Sequence, residues 1–152
     1  MSGSEALATV RKLFAAVARR DPKEYFAAYH PDIRINEAPS LPYGGVYKGL
    51  EGVLRHAERF RATWDRYQPE DRRELEPEFL AAGDRIIVLW RLRALGANGD
   101  SVDLPAVSMY RLQDGKIIES RMYHFDTVAL VRFLARASAE PTDPRATCEI
   151  SD

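Results

Sequence analysis

Apolar residues recur at helical spacing from Ser4 to Arg20, where Leu7, Val10, Leu13, Phe14 and Val17 form one stripe. Arg11, Lys12, Arg19 and Arg20 fall outside it, and Ser2 or Ser4 can cap the helix. Asp21-Pro22-Lys23-Glu24 restarts a helix, with Asp at the cap, Pro in the first turn and Glu three residues on. This second helix carries Tyr25, Phe26 and Tyr29 and is expected to stop before Pro31. Alternation through Ile33 and Ile35 predicts a short strand over Asp32–Ala38, and Pro39–Gly45 has loop chemistry throughout. A third helix is expected from Gly49 or Leu50 to about Arg66, with a stripe of Leu50, Val53, Leu54, Ala57, Phe60 and Trp64. Arg61 falls on that stripe by helical angle, an unusual place for a cation.

From Arg72 the period changes to that of strands, predicted over Arg72–Ala82, Arg85–Leu95, Val102–Leu112 and Lys116–Phe125. The turns between them are Gly83-Asp84, Asn98-Gly99 and Asp114-Gly115, the last two strong hairpin signals. Asp126-Thr127 caps a last helix, Val128–Arg136. Hairpins with the helices segregated to one side make an α+β domain over residues 1–136. The remaining stretch, 137–152, with two prolines and few apolar residues, is expected to be disordered.

Composition narrows the classes. A chain of 152 residues holds one ordinary domain that needs no disulfide or metal staple. The 22 basic residues are balanced by 23 acidic ones, for a net charge of −1, which argues against a nucleic-acid surface. No apolar run is long enough for a membrane span, and the N-terminus carries no secretory pattern. Cys148, the single cysteine, excludes an intrachain disulfide framework and suits a reducing cytoplasm. Eighteen of the basic residues are arginine and four are lysine, a bias expected from codon composition or from bidentate anion binding. Their spread over every element favours the first explanation, with Arg61 as the exception.

Four segments in this order carry a family resemblance: Arg20-Asp-Pro22; Tyr29-His-Pro-Asp-Ile-Arg-Ile-Asn-Glu37; Pro42-Tyr-Gly-Gly-Val-Tyr-Lys-Gly49; and Asp114-Gly-Lys-Ile-Ile-Glu-Ser-Arg-Met-Tyr-His-Phe-Asp126. Over residues 5–136 the chain resembles the nuclear-transport-factor-2-like superfamily, in the branch of SnoaL-like polyketide cyclases and ketosteroid isomerases. The resemblance implies a cone-shaped α+β fold, a curved antiparallel or mixed sheet wrapped by three N-terminal helices around an apolar pocket, with a short C-terminal helix. It also implies a cofactor-independent acid–base enzyme (isomerase, cyclase or dehydratase) for a small, apolar, oxygenated metabolite. A homodimer through the outer sheet face is expected by the same resemblance, with Trp90, Leu92 and Tyr123 as contacts. One alternative is a non-catalytic module of this fold that holds a lipophilic ligand or serves assembly. Another is an epoxide hydrolase, whose Asp-Arg-Asp relay could use Asp126 but would meet Val107 and Met109 where polar partners belong.

By resemblance Glu37 stands where the isomerases carry their general base, a role that wants a carboxyl raised by apolar surroundings. A solvated strand-end glutamate is the competing reading. The donors of the isomerase oxyanion hole would fall at Leu13 and Val107, so authentic steroid isomerisation is not expected. Period 2 puts Ser120, Met122, His124 and Asp126 on one face. SnoaL-like cyclases are similar in pairing an Asp with a nearby His, so His124 and Asp126 join Glu37 as catalytic candidates, although Asp126 is also the expected helix cap. Tyr43, Tyr47, Trp64, Ser120, Met122 and Val107 are the candidate substrate-binding residues. For the two tyrosines lid packing competes, and for Trp64 a place in the core or a subunit interface. His30, His56 and His124 lack metal-ligand spacing, and Gly44-Gly45…Gly49…Gly52 lacks the phosphate-binding patterns, so neither metal nor cofactor is expected.

Overall fold

The computed structural model describes residues 2–68 and 77–138. Its elements run α1 (Gly3–Arg19), α2 (Pro22–Ala27), β1 (Tyr29–Glu37), β2 (Gly45–Lys48) and α3 (Gly49–Trp64), then a 3-10 turn, Asp65–Tyr67. They continue with β3 (Glu78–Ala82), β4 (Arg85–Leu95), β5 (Ser101–Gln113), β6 (Lys116–His124) and α4 (Thr127–Ala137). Of the tail expected to be disordered, Ala137 ends α4 and Ser138 is its C-cap; the rest of it and the first half of the strand expected over Arg72–Ala82 lie outside the described residues.

The helix starts follow from side-chain capping. Ser2 Oγ accepts the Glu5 amide while the Glu5 carboxylate accepts the Ser2 amide, a reciprocal box that satisfies two donors. Asp21 accepts the Glu24 amide with Pro22 behind it, so the backbone turns from α1 into α2 where the sequence pattern puts the turn.

The six strands form one mixed sheet in the order β2-β1-β6-β5-β4-β3. β1 and β6 run parallel and the other pairs antiparallel. β1 begins at Tyr29, ahead of the expected Asp32, because the β1–β6 register shifts between Tyr29 and Arg34 and accommodates Pro31 there. β2 went unread in the sequence: it is a four-residue edge strand that gains its place only by pairing with β1.

Alternation along β4 and β5 sends Ile86, Val88, Trp90, Leu92, Ala106, Ser108, Tyr110 and Leu112 to the concave face. Trp90 and Leu92 are 6% and 1% exposed, so neither forms an outer-face contact. The outer face carries instead a row of Leu89, Val107 and Tyr123 in register across three strands.

α1 lays Ala6, Val10 and Leu13 into the core, and α4 adds Leu130 and Phe133. Phe133 stacks on Trp64 at 6.2 Å, and each such fully buried side chain contributes about 1.5–3 kcal/mol. On α3 the buried face is Gly52, Val53, His56 and Trp64, whereas Leu50 and Leu54 are exposed. The buried face is therefore rotated from the expected stripe: it takes in His56, which finds a buried carboxylate partner, and leaves Leu50 and Leu54 outside.

Candidate active site

Glu37 is the last residue of β1, and its burial follows from period 2: Ile33, Ile35 and Glu37 all face inward. It meets His56, which α3 presents from between Val53 and Phe60. Glu37 Oε1 lies 2.7 Å from His56 Nε2, both side chains being almost wholly buried. On the other side His124 Nε2, from the end of β6, stands 3.9 Å from Glu37 Oε2, close enough to act electrostatically but beyond hydrogen-bonding distance.

Burial pushes the Glu37 carboxyl up, but the His124 and His56 imidazoles facing it more than offset this and hold it below the ordinary carboxylate range. That is the opposite of the direction a general base at this position would want. Ionised Glu37 accepts an N–H from His56 Nε2; when the ring is neutral, this contact selects the tautomer whose Nδ1 carries no proton. Among the described residues, the buried side-chain polar atoms without a partner are Glu37 Oε2, His56 Nδ1, Ser120 Oγ and His124 Nε2. Unpaired buried polar atoms cost about 1–3 kcal/mol each, so three on the Glu37, His56 and His124 side chains mark a place where stability yields to chemistry.

A cavity of about 380 Å³ opens between α1, α2, α3 and the concave sheet face. Leu13, Phe14, Phe26, Phe60, Trp90 and Met122 make its wall mostly apolar. His56 forms part of that wall, with Glu37 behind it. Hydroxyls come from Tyr25, Tyr29, Tyr110 and Ser108. Tyr29 donates to the Tyr25 oxygen at 3.1 Å, leaving the Tyr25 proton for another acceptor. Burial raises all three phenols, so they are neutral donors at neutral pH. The phenol sought on the first helix at Leu13 is absent, and α2, β1 and β5 supply phenols instead.

The other sequence candidates separate clearly. Ser120 and Met122 share the concave face with His124, and Met122 lines the cavity. Val107 sits one residue out of phase with inward-facing Ser108, on the outer face, so it does not line this cavity. Asp126 is exposed beyond the end of β6 and caps α4, its Oδ1 accepting the Ala129 amide at 2.9 Å. It does not join the Glu37 cluster. Tyr43, Tyr47 and Trp64 form a packed chain outside the cavity wall. Trp64 Nε1 donates to the Tyr43 hydroxyl at 2.9 Å, and the Tyr47 hydroxyl donates to the Tyr43 carbonyl at 2.8 Å. Tyr47 and Tyr43 meet the His56 ring edge-on at 5.2 and 6.4 Å, so they position the imidazole rather than a ligand.

His56 is the residue that sequence reasoning passed over. The signal was available: it lies three residues after Val53 and four before Phe60, a titratable group on a buried helix face. Among the described residues no helix is long and apolar enough to cross a membrane.

Helices closing one face of a curved mixed sheet, over a cavity with a buried carboxylate and two imidazoles, define an α+β pocket protein. The chain belongs to the SnoaL-like domain family, whose profile matches residues 10–120. It is similar in structure to an NTF2-like protein of unknown function from Burkholderia pseudomallei K96243, with 29% identity over 91% of this chain and 100% of that one (TM-score 0.74). It is also similar to TerC, crystallised with polyporic acid, at 21% identity over 86% of this chain and 98% of that one (TM-score 0.73). A protein from Jannaschia sp. CCS1, provisionally named a SnoaL-like polyketide cyclase, is 23% identical over 91% of this chain and 94% of that one (TM-score 0.64). No functionally curated protein matches the chain.

Proposed function

We propose that this protein is a cofactor-independent acid–base enzyme that removes a proton from carbon next to a carbonyl in a small, apolar, oxygenated molecule. The observation that carries this reading is the Glu37–His56 pair, a buried carboxylate 2.7 Å from an imidazole that walls an apolar cavity. In this scheme the neutral His56 imidazole, part of the cavity wall, takes the proton, and Glu37 orients the ring and stabilises the imidazolium that forms. The negative charge moves to the carbonyl oxygen, where the Tyr25 hydroxyl, already accepting from Tyr29, donates to it. His124, on the far side of Glu37, adjusts the charge of the same carboxylate. Return of the proton to a different carbon gives isomerisation, and attack of the enolate on a second carbonyl gives cyclisation.

The experiment is deuterium incorporation into aryl ketones in D2O, followed by mass spectrometry. Wild-type protein should label the carbon next to the carbonyl, and His56→Gln should lower the rate by about 10²–10⁴-fold. Glu37→Gln should lose activity in the same range, since an amide no longer enforces the tautomer. Labelling that survives undiminished in His56→Gln rejects the scheme.

We also propose a homodimer through the outer sheet face, built on the row of Leu89, Val107 and Tyr123 rather than on Trp90 and Leu92. The first and last of these are 37% and 50% exposed. Sedimentation showing only monomer at micromolar concentration would count against it.

A further inference from the structure

Arg61 lies on the cavity wall one residue after Phe60, and its Nε donates to the carbonyl of Ala57 one turn back, at 3.3 Å. This bond fixes the guanidinium against its own helix and leaves the outer N–H groups undirected. The other charged groups around the mouth have partners. Arg91 and Arg93 both face Asp103, at 2.6 and 3.4 Å, and Asp21 caps α2. Arg20 and Asp65 are engaged as well. Arg61 has no acidic partner among the described residues. The Tyr25 hydroxyl is within its electrostatic reach.

A guanidinium with only its Nε on the backbone, at the rim of an apolar cavity, keeps its outer donors for a planar two-oxygen anion, which it suits better than an ammonium would. The negative end of a ligand is also kept at the rim by Glu37, ionised deeper in. Arg61 and His56 are five residues apart on α3, about 7.5 Å along the helix axis. The aromatic wall of the same cavity, with Phe14, Phe26, Phe60 and Trp90, suits a flat aromatic or unsaturated body.

We propose that Arg61 is the anion-recognition residue of the cavity, and that the substrate is an aromatic or unsaturated carboxylate whose charged end seats at Arg61. The placing of its reactive carbon against His56 rests on the acid–base reading above; the anion site does not.

Calorimetric titration with two matched probes, cinnamate and cinnamamide, tests this directly. Wild-type protein should bind the carboxylate about tenfold more tightly than the amide, a difference of about 1.4 kcal/mol. Arg61→Met should abolish that preference, and Arg61→Lys should keep part of it. Amide affinity reads the apolar cavity alone and serves as the control for folding of each variant. Equal affinity for the two probes in wild type, no measurable binding of either, or a preference that persists in Arg61→Met overturns the proposal. Since the measurement is of binding, a preference for carboxylate without deuterium incorporation removes the acid–base reading and leaves the anion site standing. Incorporation without the preference does the reverse.

Discussion

Glu37 shows how one residue can be decided by its neighbours against its burial. A lone carboxyl at this depth would be raised and neutral, yet the two imidazoles hold it ionised. Its folded value lies below the ordinary 4.5, so folding is favoured by the ionised form. That contribution is complete above 4.5 and is lost as pH falls through the folded value. Thermal melts should therefore show stability falling more steeply on acidification in wild type than in Glu37→Gln. At neutral pH the Gln variant should be less stable by about 1–3 kcal/mol, because the imidazoles lose a charged acceptor. Parallel acid profiles for the two proteins would mean that Glu37 is not the ionised partner described here. The position of Glu37 was legible from Ile33 and Ile35, four and two residues earlier. Its state was not, because the imidazoles come from α3 and the end of β6, 19 and 87 residues further along the chain.

At the scale of elements, α4 and α3 give contrasting tests. Asp126 behaves as a cap, its carboxylate on the Ala129 amide. Asp126→Ala should then cost about 1 kcal/mol of stability, with Asp126→Asn close to wild type. Deuterium incorporation per folded molecule should be unchanged in both; a large loss in the Asn variant would return Asp126 to the chemistry. On α3 the limiting contact is Gly52, where an added Cβ would sit 2.9 Å from the Tyr47 carbonyl carbon. Helix propensity would favour Gly52→Ala by about 1 kcal/mol, but overpacking costs about 1–3 kcal/mol. Denaturant unfolding should show net destabilisation, and the displaced helix should slow incorporation by shifting His56. Gain of stability would show that α3 has room to move. The cap at Asp126 was readable from local chemistry alone. The seat of α3 was not, since its apolar stripe matches two faces about equally well and only contact with β1 and β2 chose between them.

Across the whole molecule, burial raises Tyr25, Tyr29, Tyr43 and Tyr110, which come from α2, β1, the β1–β2 loop and β5. Each then contributes stability that is fully present below the ordinary tyrosine value of 10 and is lost as pH rises toward the folded values. Absorbance titration in base should show these phenols ionising together with unfolding, rather than smoothly in the folded state. Gradual ionisation with the fold intact would mean that the cavity wall admits water freely.

Local pattern by itself determined the α+β class, the helix starts at Asp21 and Asp126, a first cap at Ser2 or Ser4, and the hairpin turns, because capping, turn chemistry and period act over a few residues. It also put Glu37 in phase with Ile33 and Ile35, and Ser120, Met122 and His124 on one shared face. Tertiary structure alone decided that β2 pairs with β1, that Trp90 and Leu92 face inward while Val107 faces out, and that Tyr43 and Tyr47 brace an imidazole with Trp64 behind Tyr43. It alone joined His56 to Glu37 and brought Arg61 to the cavity mouth. Alternation tells which residues share a face but not which face is buried, and a buried polar group takes its role from partners that only folding brings near.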